Sequence, residues 1–317
     1  MRAPESPFVR SLVVAFALVR LVLHVLAGVV SIATVFPWAS HARRERVISA
    51  WSRRLLAISG IRVRVVGTRG VAVYEASGGV PSSSHVVESA MRPEGIGAMI
   101  VLNHISWADI FVINTVRRAR FVAKSEIDRW PVIGFLTRHT GTIFIERGKR
   151  HAVREANQRI IELLGQRDLI AMFPEGMTGD GDRLLPFHAN LLQPAIDAGV
   201  PIIVGGLRYL DRRGRPTIAP SYAGEINLVD SFLRILRNGP FVCELHLIDA
   251  FDGTGHSRHA IARRARAAIA QRLGFDDEAG EENEAVARAD VSRTLTRGAA
   301  RSDTEPETES DPQDELL

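Results

Sequence analysis

The chain has 317 residues, of which 46% are apolar and 24% charged; this is ordinary globular usage and excludes both a wholly disordered chain and a polytopic membrane protein. Its one cysteine, Cys243, excludes an internal disulfide framework and a thiolate zinc cluster. The net charge of +4 conceals a division: residues 276–317 hold 14 acidic and 4 basic side chains, leaving 36 basic against 22 acidic in the remainder. A basic body suits an anionic membrane, phosphorylated substrates or nucleic acid. Only Lys124 and Lys149 are lysines, so the arginine excess reads first as GC-rich coding. With no helix-turn-helix, zinc or RNA-recognition signature, no nucleic-acid partner is expected.

Phe8 to Trp38 is nearly continuous apolar sequence, broken by Arg10, Arg20 and His24. The run Leu21 to Trp38 spans 18 residues with His24 as its one titratable group, long enough to cross or deeply enter a bilayer. No small-residue cleavage site follows, so the segment is expected to stay attached. Arg20 and His24 lie one helical turn apart, where a helix would hold both at one flank to snorkel or meet headgroups. A shallow interfacial helix and a true span therefore both remain open. The basic cluster His41 to Arg46 follows, and the positive-inside tendency would leave the rest at the cytoplasmic face of the plasma (inner) membrane.

Arg46 to Ile58 predicts an amphipathic helix stopped by Gly60, and Ile61 to Val66 a strand. Gly70 to Gly97, rich in Gly, Ser and Pro, reads as a surface excursion or hairpin. From Ala98, apolar strands alternate with helical stretches. The strands are Met99 to Leu102, Ala119 to Ala123, Gly141 to Ile145, Leu169 to Phe173 and Pro201 to Leu207. Helices run to about Arg118 and over His151 to Leu164 and Asn190 to Asp197, with a segment beginning at Pro131. A strand-like run at Val242 to Leu247 and a basic closing helix, His259 to Leu273, complete the series. This alternation predicts an α/β domain with a central sheet flanked by helices. Three regions are expected: a membrane-associated helical region at 1–60, an α/β domain at 61–275 and a disordered acidic tail at 276–317.

Three strands in succession end in a polar functional group, and strand ends are where open α/β sheets place their sites. Val101-Leu-Asn-His104 leads into a helix predicted to open at Ser106, with Asp109 in its first turn. An aspartate there can accept from one imidazole nitrogen and leave the other free to take a proton, making His104 a candidate general base with Asp109 as its orienting acid. A capping aspartate beside a structural histidine is the competing reading. Gly141 to Arg147 places a guanidinium just past a strand, suited to bidentate contact with phosphate. Phe173-Pro-Glu-Gly176 fixes Glu175 between a proline and a glycine, where it could bond a substrate hydroxyl or orient basic neighbours.

The order and spacing of these blocks resemble the glycerophospholipid acyltransferase family, particularly the 1-acyl-sn-glycerol-3-phosphate acyltransferases. The resemblance runs from about Trp51 to Leu273. It includes Phe121 to Glu126, Trp130 to Gly134 and the apolar strand Val200-Pro-Ile-Ile-Val204. It implies an O-acyltransferase in which His104 deprotonates the acceptor hydroxyl, Asp109 orients it, Lys124 and Arg147 bind the acceptor phosphate, and Glu175 and Gly176 shape the acceptor site. The implied partners are membrane lipids, a lysophospholipid acceptor and acyl-CoA or acyl carrier protein as donor, with no metal and no cofactor beyond the co-substrate.

Two positions depart from the family pattern. Met177 to Asp182 stands where many relatives continue Thr-Arg-Ser, and Val204-Gly205 where a proline is common. These leave the headgroup open between lysophosphatidate and a lyso-ornithine or other lysolipid. A thioester is already activated, so no protein nucleophile is required. No Gly-x-Ser-x-Gly elbow is present, and Cys243 lies far from the motifs in sequence. A non-catalytic membrane adaptor is the reading from a different class.

Overall fold

The computed structural model describes residues 7–67, 74–75, 91, 95–146, 150–252 and 256–275. The acidic tail and most of the 70–97 excursion lie outside the described residues. Two helices lead: α1 (Pro7–Thr34) and α2 (His41–Ile58), the latter beginning five residues before the expected start because Ser40 caps it. There follow β1 (Ile61–Val66), β2 (Tyr74–Glu75), β3 (Ala98–Val101), α3 (Ala108–Val116), β4 (Ala119–Lys124), α4 (Ser125–Asp128), α5 (Ile133–Thr140) and β5 (Ile143–Ile145). The remainder is α6 (Arg150–Gly165), β6 (Leu169–Met172), α7 (Gln193–Asp197), β7 (Pro201–Leu210), α8 (Leu228–Asn238), β8 (Phe241–Asp252) and α9 (Arg258–Leu273). Helix α8 was not expected, although Asn227 caps it through Asp230 N and Leu228, Phe232 and Ile235 follow a helical spacing.

The strands form one sheet in the order β2-β1-β8-β7-β3-β6-β4-β5. β3 to β7 run parallel, while β8 is antiparallel to β7 and parallel to β1. β3 and β6 are buried throughout. They read as unbroken apolar runs because both faces are covered. Ile100 and Leu102 pack with Val112 and Ile113 of α3 on one face. Met99 and Val101 pack with Ile160 and Leu163 of α6 and Ile269 of α9 on the other. Where β7 meets β8 the register shifts between Val204 and Gly205, which pair with Asp249 and Leu247, so Ile248 is an extra residue on β8.

Helix α1 contains Ser11–Thr34, a 24-residue stretch apolar and long enough to cross a membrane. It packs on α2, α5 and α8 through one stripe, in which Ala17, His24, Gly28 and Ile32 are buried at helical spacing. The expectation that His24 joins Arg20 at a headgroup-facing flank is overturned. His24 stacks on Trp51 of α2 at 4.6 Å, its Nε2 donates to the Trp51 carbonyl at 2.9 Å, and the indole N–H returns a bond to the His24 carbonyl at 3.1 Å. Arg20 stays exposed beside Phe16. Once two ring-to-carbonyl bonds are available, burying the imidazole satisfies both its polarity and its apolar faces.

Candidate active site

Past Val101, β3 leaves the sheet ladder, and the Asn103 side chain replaces the missing rung. Its amide donates to Leu207 O at 3.0 Å and accepts from Leu207 N at 2.7 Å. A primary amide is suited to this because it presents donor and acceptor side by side. The next residue, His104, is thereby set at the C-terminal edge of the sheet.

Asp109, wholly buried, organises the turn. Its Oδ2 accepts from the backbone N–H of Ile105 (2.7 Å) and Ser106 (2.9 Å) and from His104 Nδ1 at 2.9 Å. The helix itself starts two residues after Ser106, whose hydroxyl accepts from Ala108 N. One oxygen thus holds both the backbone turn ahead of the helix and the imidazole, and no side chain caps the helix start at Trp107. The carboxylate fixes the proton on Nδ1, leaving Nε2 as the basic nitrogen. The His104 side chain is 17% exposed, and Nε2 has no partner among the described residues. Phe173 holds the ring plane, stacking on it at 3.9 Å and 11°.

Tyr209, from the far side of β7, donates to Asp109 Oδ1 at 2.6 Å. Burial, with the Asp109 charge adding to it, pushes the phenol well above its ordinary range, so it remains a donor. Sequence reasoning missed this residue; its only signal was a lone tyrosine in an apolar strand. Cys243, distant from the motifs in sequence, is the cross-strand partner of Tyr209. Its thiol is fully buried and raised by that burial, which makes it a poor nucleophile.

Glu175 follows β6, 4% exposed, with Oε1 lacking a hydrogen-bond partner among the described residues. Burial lifts its pKa to about 9, the Asp109 charge adding to the rise; the His104 backbone and Arg266 oppose it only in part. Gly176 completes the turn at φ +68, a conformation that favours glycine, beside His188. The departing 177–182 loop also has a structural basis. Gly179 N donates to His104 O at 2.8 Å, Thr178 bonds Tyr222 O at 2.6 Å, and a Cβ at Gly181 would meet Ile105 at 2.9 Å. This loop lies directly against the His104 turn.

The structure thus brings together His104, Asp109, Glu175 and Gly176. Lys124 is the last residue of β4, exposed and paired in register with Ile145 of β5. Arg147 lies outside the described residues. Among the described residues no group of three or more His, Cys, Asp or Glu is placed to hold a metal ion.

The acyltransferase family model matches residues 83–204. A 1-acyl-sn-glycerol-3-phosphate acyltransferase of Neisseria meningitidis is 38% identical over 172 residues, covering 53% of this chain and 67% of that protein. A lyso-ornithine lipid O-acyltransferase of Pseudomonas aeruginosa is 30% identical over 226 residues, covering 71% of this chain and 78% of its own. The crystal structure of the 1-acyl-sn-glycerophosphate acyltransferase from Thermotoga maritima has the same fold, with a TM-score of 0.55 at 18% identity over 84% of this chain and 94% of that one. The chain is an acyltransferase and belongs to the glycerophospholipid acyltransferase family.

Proposed function

We propose that the protein transfers a fatty acyl group from acyl-CoA or acyl carrier protein to the sn-2 hydroxyl of 1-acyl-sn-glycerol-3-phosphate. The observation that carries this reading is the 2.9 Å bond from His104 Nδ1 to buried Asp109, with Nε2 at the sheet edge and without a partner among the described residues. Nε2 takes the hydroxyl proton as the alcohol oxygen attacks the thioester carbonyl; the tetrahedral oxyanion collapses, the carbon–sulfur bond breaks, and the imidazolium returns its proton to the leaving thiolate. Lys124 and Arg147 are the groups proposed to bind the acceptor phosphate, and Glu175 with Gly176 to shape its site. The reaction needs no metal, no cofactor beyond the co-substrate and no acyl-enzyme.

Membrane attachment follows from the substrate. Each methylene lifted into water costs about 0.8 kcal/mol, so extracting a long acyl chain would add roughly 10 kcal/mol to the barrier. We infer that α1 lies in the membrane surface: its buried stripe is docked to the domain, while Leu12, Val13, Phe16, Val19, Leu23, Leu26 and Val30 remain exposed, as does Trp38 at 88%. The cytoplasmic leaflet is the proposed side.

A second acceptor, a lyso-ornithine lipid, is favoured by the extent of the Pseudomonas match and by the absence of arginine from Met177 to Asp182. The deciding experiment offers labelled acyl-CoA and acyl carrier protein with a panel of lysolipids and resolves products by thin-layer chromatography. Lysophosphatidate is expected as the preferred acceptor, and His104→Ala should lower turnover about 10²–10⁴-fold. Preference for a phosphate-free acceptor selects the second reading, and full activity of His104→Ala rejects the mechanism.

A further inference from the structure

On the face of the sheet that carries α9, cover by the described residues stops short of the β1, β8 and β7 ends. The last turn of α9 reaches only Gly206 and His246: Leu273 sits against Gly206, and Arg272 Nε donates to His246 Nδ1 at 3.1 Å. Just beyond, Arg64, Glu244 and Arg208 stand directly opposite one another across three strands. Glu244 accepts from Arg64 at 3.0 Å and from Arg208 at 2.8 Å. Arg62, two residues before Arg64 on the same face, is exposed, and Arg212 adds a fourth guanidinium to the open groove they line. The groove's two carboxylates do not balance this charge, since Glu244 is shared between two arginines and Asp211 is bound to Arg215 at 2.9 Å. Among the described residues no helix lies over this row.

The chain itself arrives at the rim of this surface. Gly274 caps α9 in a left-handed conformation, and Phe275 packs against the core behind it. The sequence then continues Asp276-Asp277-Glu278, with Glu281, Glu282 and Glu284 following: six carboxylates and no basic group in nine residues. Nine extended residues reach about 30 Å, whereas crossing from β7 over β8 to β1 takes about 10 Å. Attachment in cis keeps this segment at a local concentration on the order of millimolar. Isolated surface ion pairs are weak, but several on one tether act together.

We propose that the acidic segment 276–284 docks on the arginine row of β1, β8 and β7, shielding it from external anions. The test uses the full chain, whose only native thiol, Cys243, is fully buried. One variant carries Pro216→Cys, at the groove edge, with Glu282→Cys; a control carries Arg138→Cys, on exposed α5 at the opposite end of the sheet, with Glu282→Cys. A short bis-maleimide should link the first pair at least about tenfold faster than the control. That advantage should vanish in about 1 M sodium chloride, where screening shortens to about 3 Å, and when Asp276, Asp277, Glu278, Glu281 and Glu284 are replaced by amides. Equal rates for the two pairs at low salt overturn the proposal. Protection of the thiol at position 216 by added acyl carrier protein or by anionic vesicles, with the tail pair linking no faster than control, would assign the face to that outside partner instead. Both variants keep every residue of the candidate active site, so acyl transfer at the parental rate verifies their folding.

Discussion

Asp109 receives four hydrogen bonds on two oxygens: two backbone amides, one imidazole and one phenol. The phenol holds the second oxygen of the carboxylate that orients His104. Tyr209→Phe is therefore expected to lower kcat about tenfold with little change in KM, as for one lost hydrogen bond to a charged group. A raised KM with kcat unchanged would reduce Tyr209 to a packing residue. Glu175 gives a prediction of stability. Its folded-state pKa of about 9 lies above the ordinary carboxylate value of 4.5. The unfolded chain releases the proton first, and folding stability falls as pH rises between those values, by at most about 1.4 kcal/mol per unit. Glu175→Gln has no proton to lose, so its melting temperature should gain on the parent from pH 5.5 to pH 8.5. A constant difference across that range would contradict a buried, proton-holding carboxyl. His104 and Asp109 were legible in the sequence because the six residues 104–109 contain the bond between them. Tyr209 was not, because a contact across 100 residues leaves no local pattern.

Helix α1 is long and apolar enough to cross a bilayer, and one of its faces is packed on α2, α5 and α8. Length and composition alone left crossing and surface attachment open, and the contact of His24 with Trp51 supplied what hydropathy omits: which side is occupied. Placing Leu23→Lys and Leu26→Lys together on the exposed band should weaken vesicle binding about 10²-fold or more, taking each lost apolar side chain as roughly 1.5–3 kcal/mol. Cosedimentation that does not change would locate the anchor elsewhere. The same pattern reasoning read the long parallel-strand segments well, since burial on both faces leaves an uninterrupted apolar run. It passed over α8, whose Asn227 cap and apolar spacing were present, and it recognised only the first half of β8.

At the scale of the molecule, the placement of His104 and Glu175 at one edge of the sheet was legible, because each follows an apolar strand. The reversed direction of β8 and β1 was not, since a strand reads alike both ways. That reversal turns the starts of β1 and β8 toward the same edge as His104. On β8, Cys243, Leu245 and Leu247 face the interior beside Tyr209, while Glu244 and His246 take the other side. Past the extra residue at Ile248 the alternation changes parity: Ile248 and Phe251 join the opposite cluster and Ala250 the first. Were Ile248 paired in the ladder instead of set aside in the bulge, the two segments of β8 would be incompatible: either the first would turn over, putting a charged glutamate and a histidine beneath the buried carboxylate and a row of apolar side chains out among the arginines, or the second would. A single bulged-out peptide unit thus keeps the inner and outer chemistries of this strand from changing places.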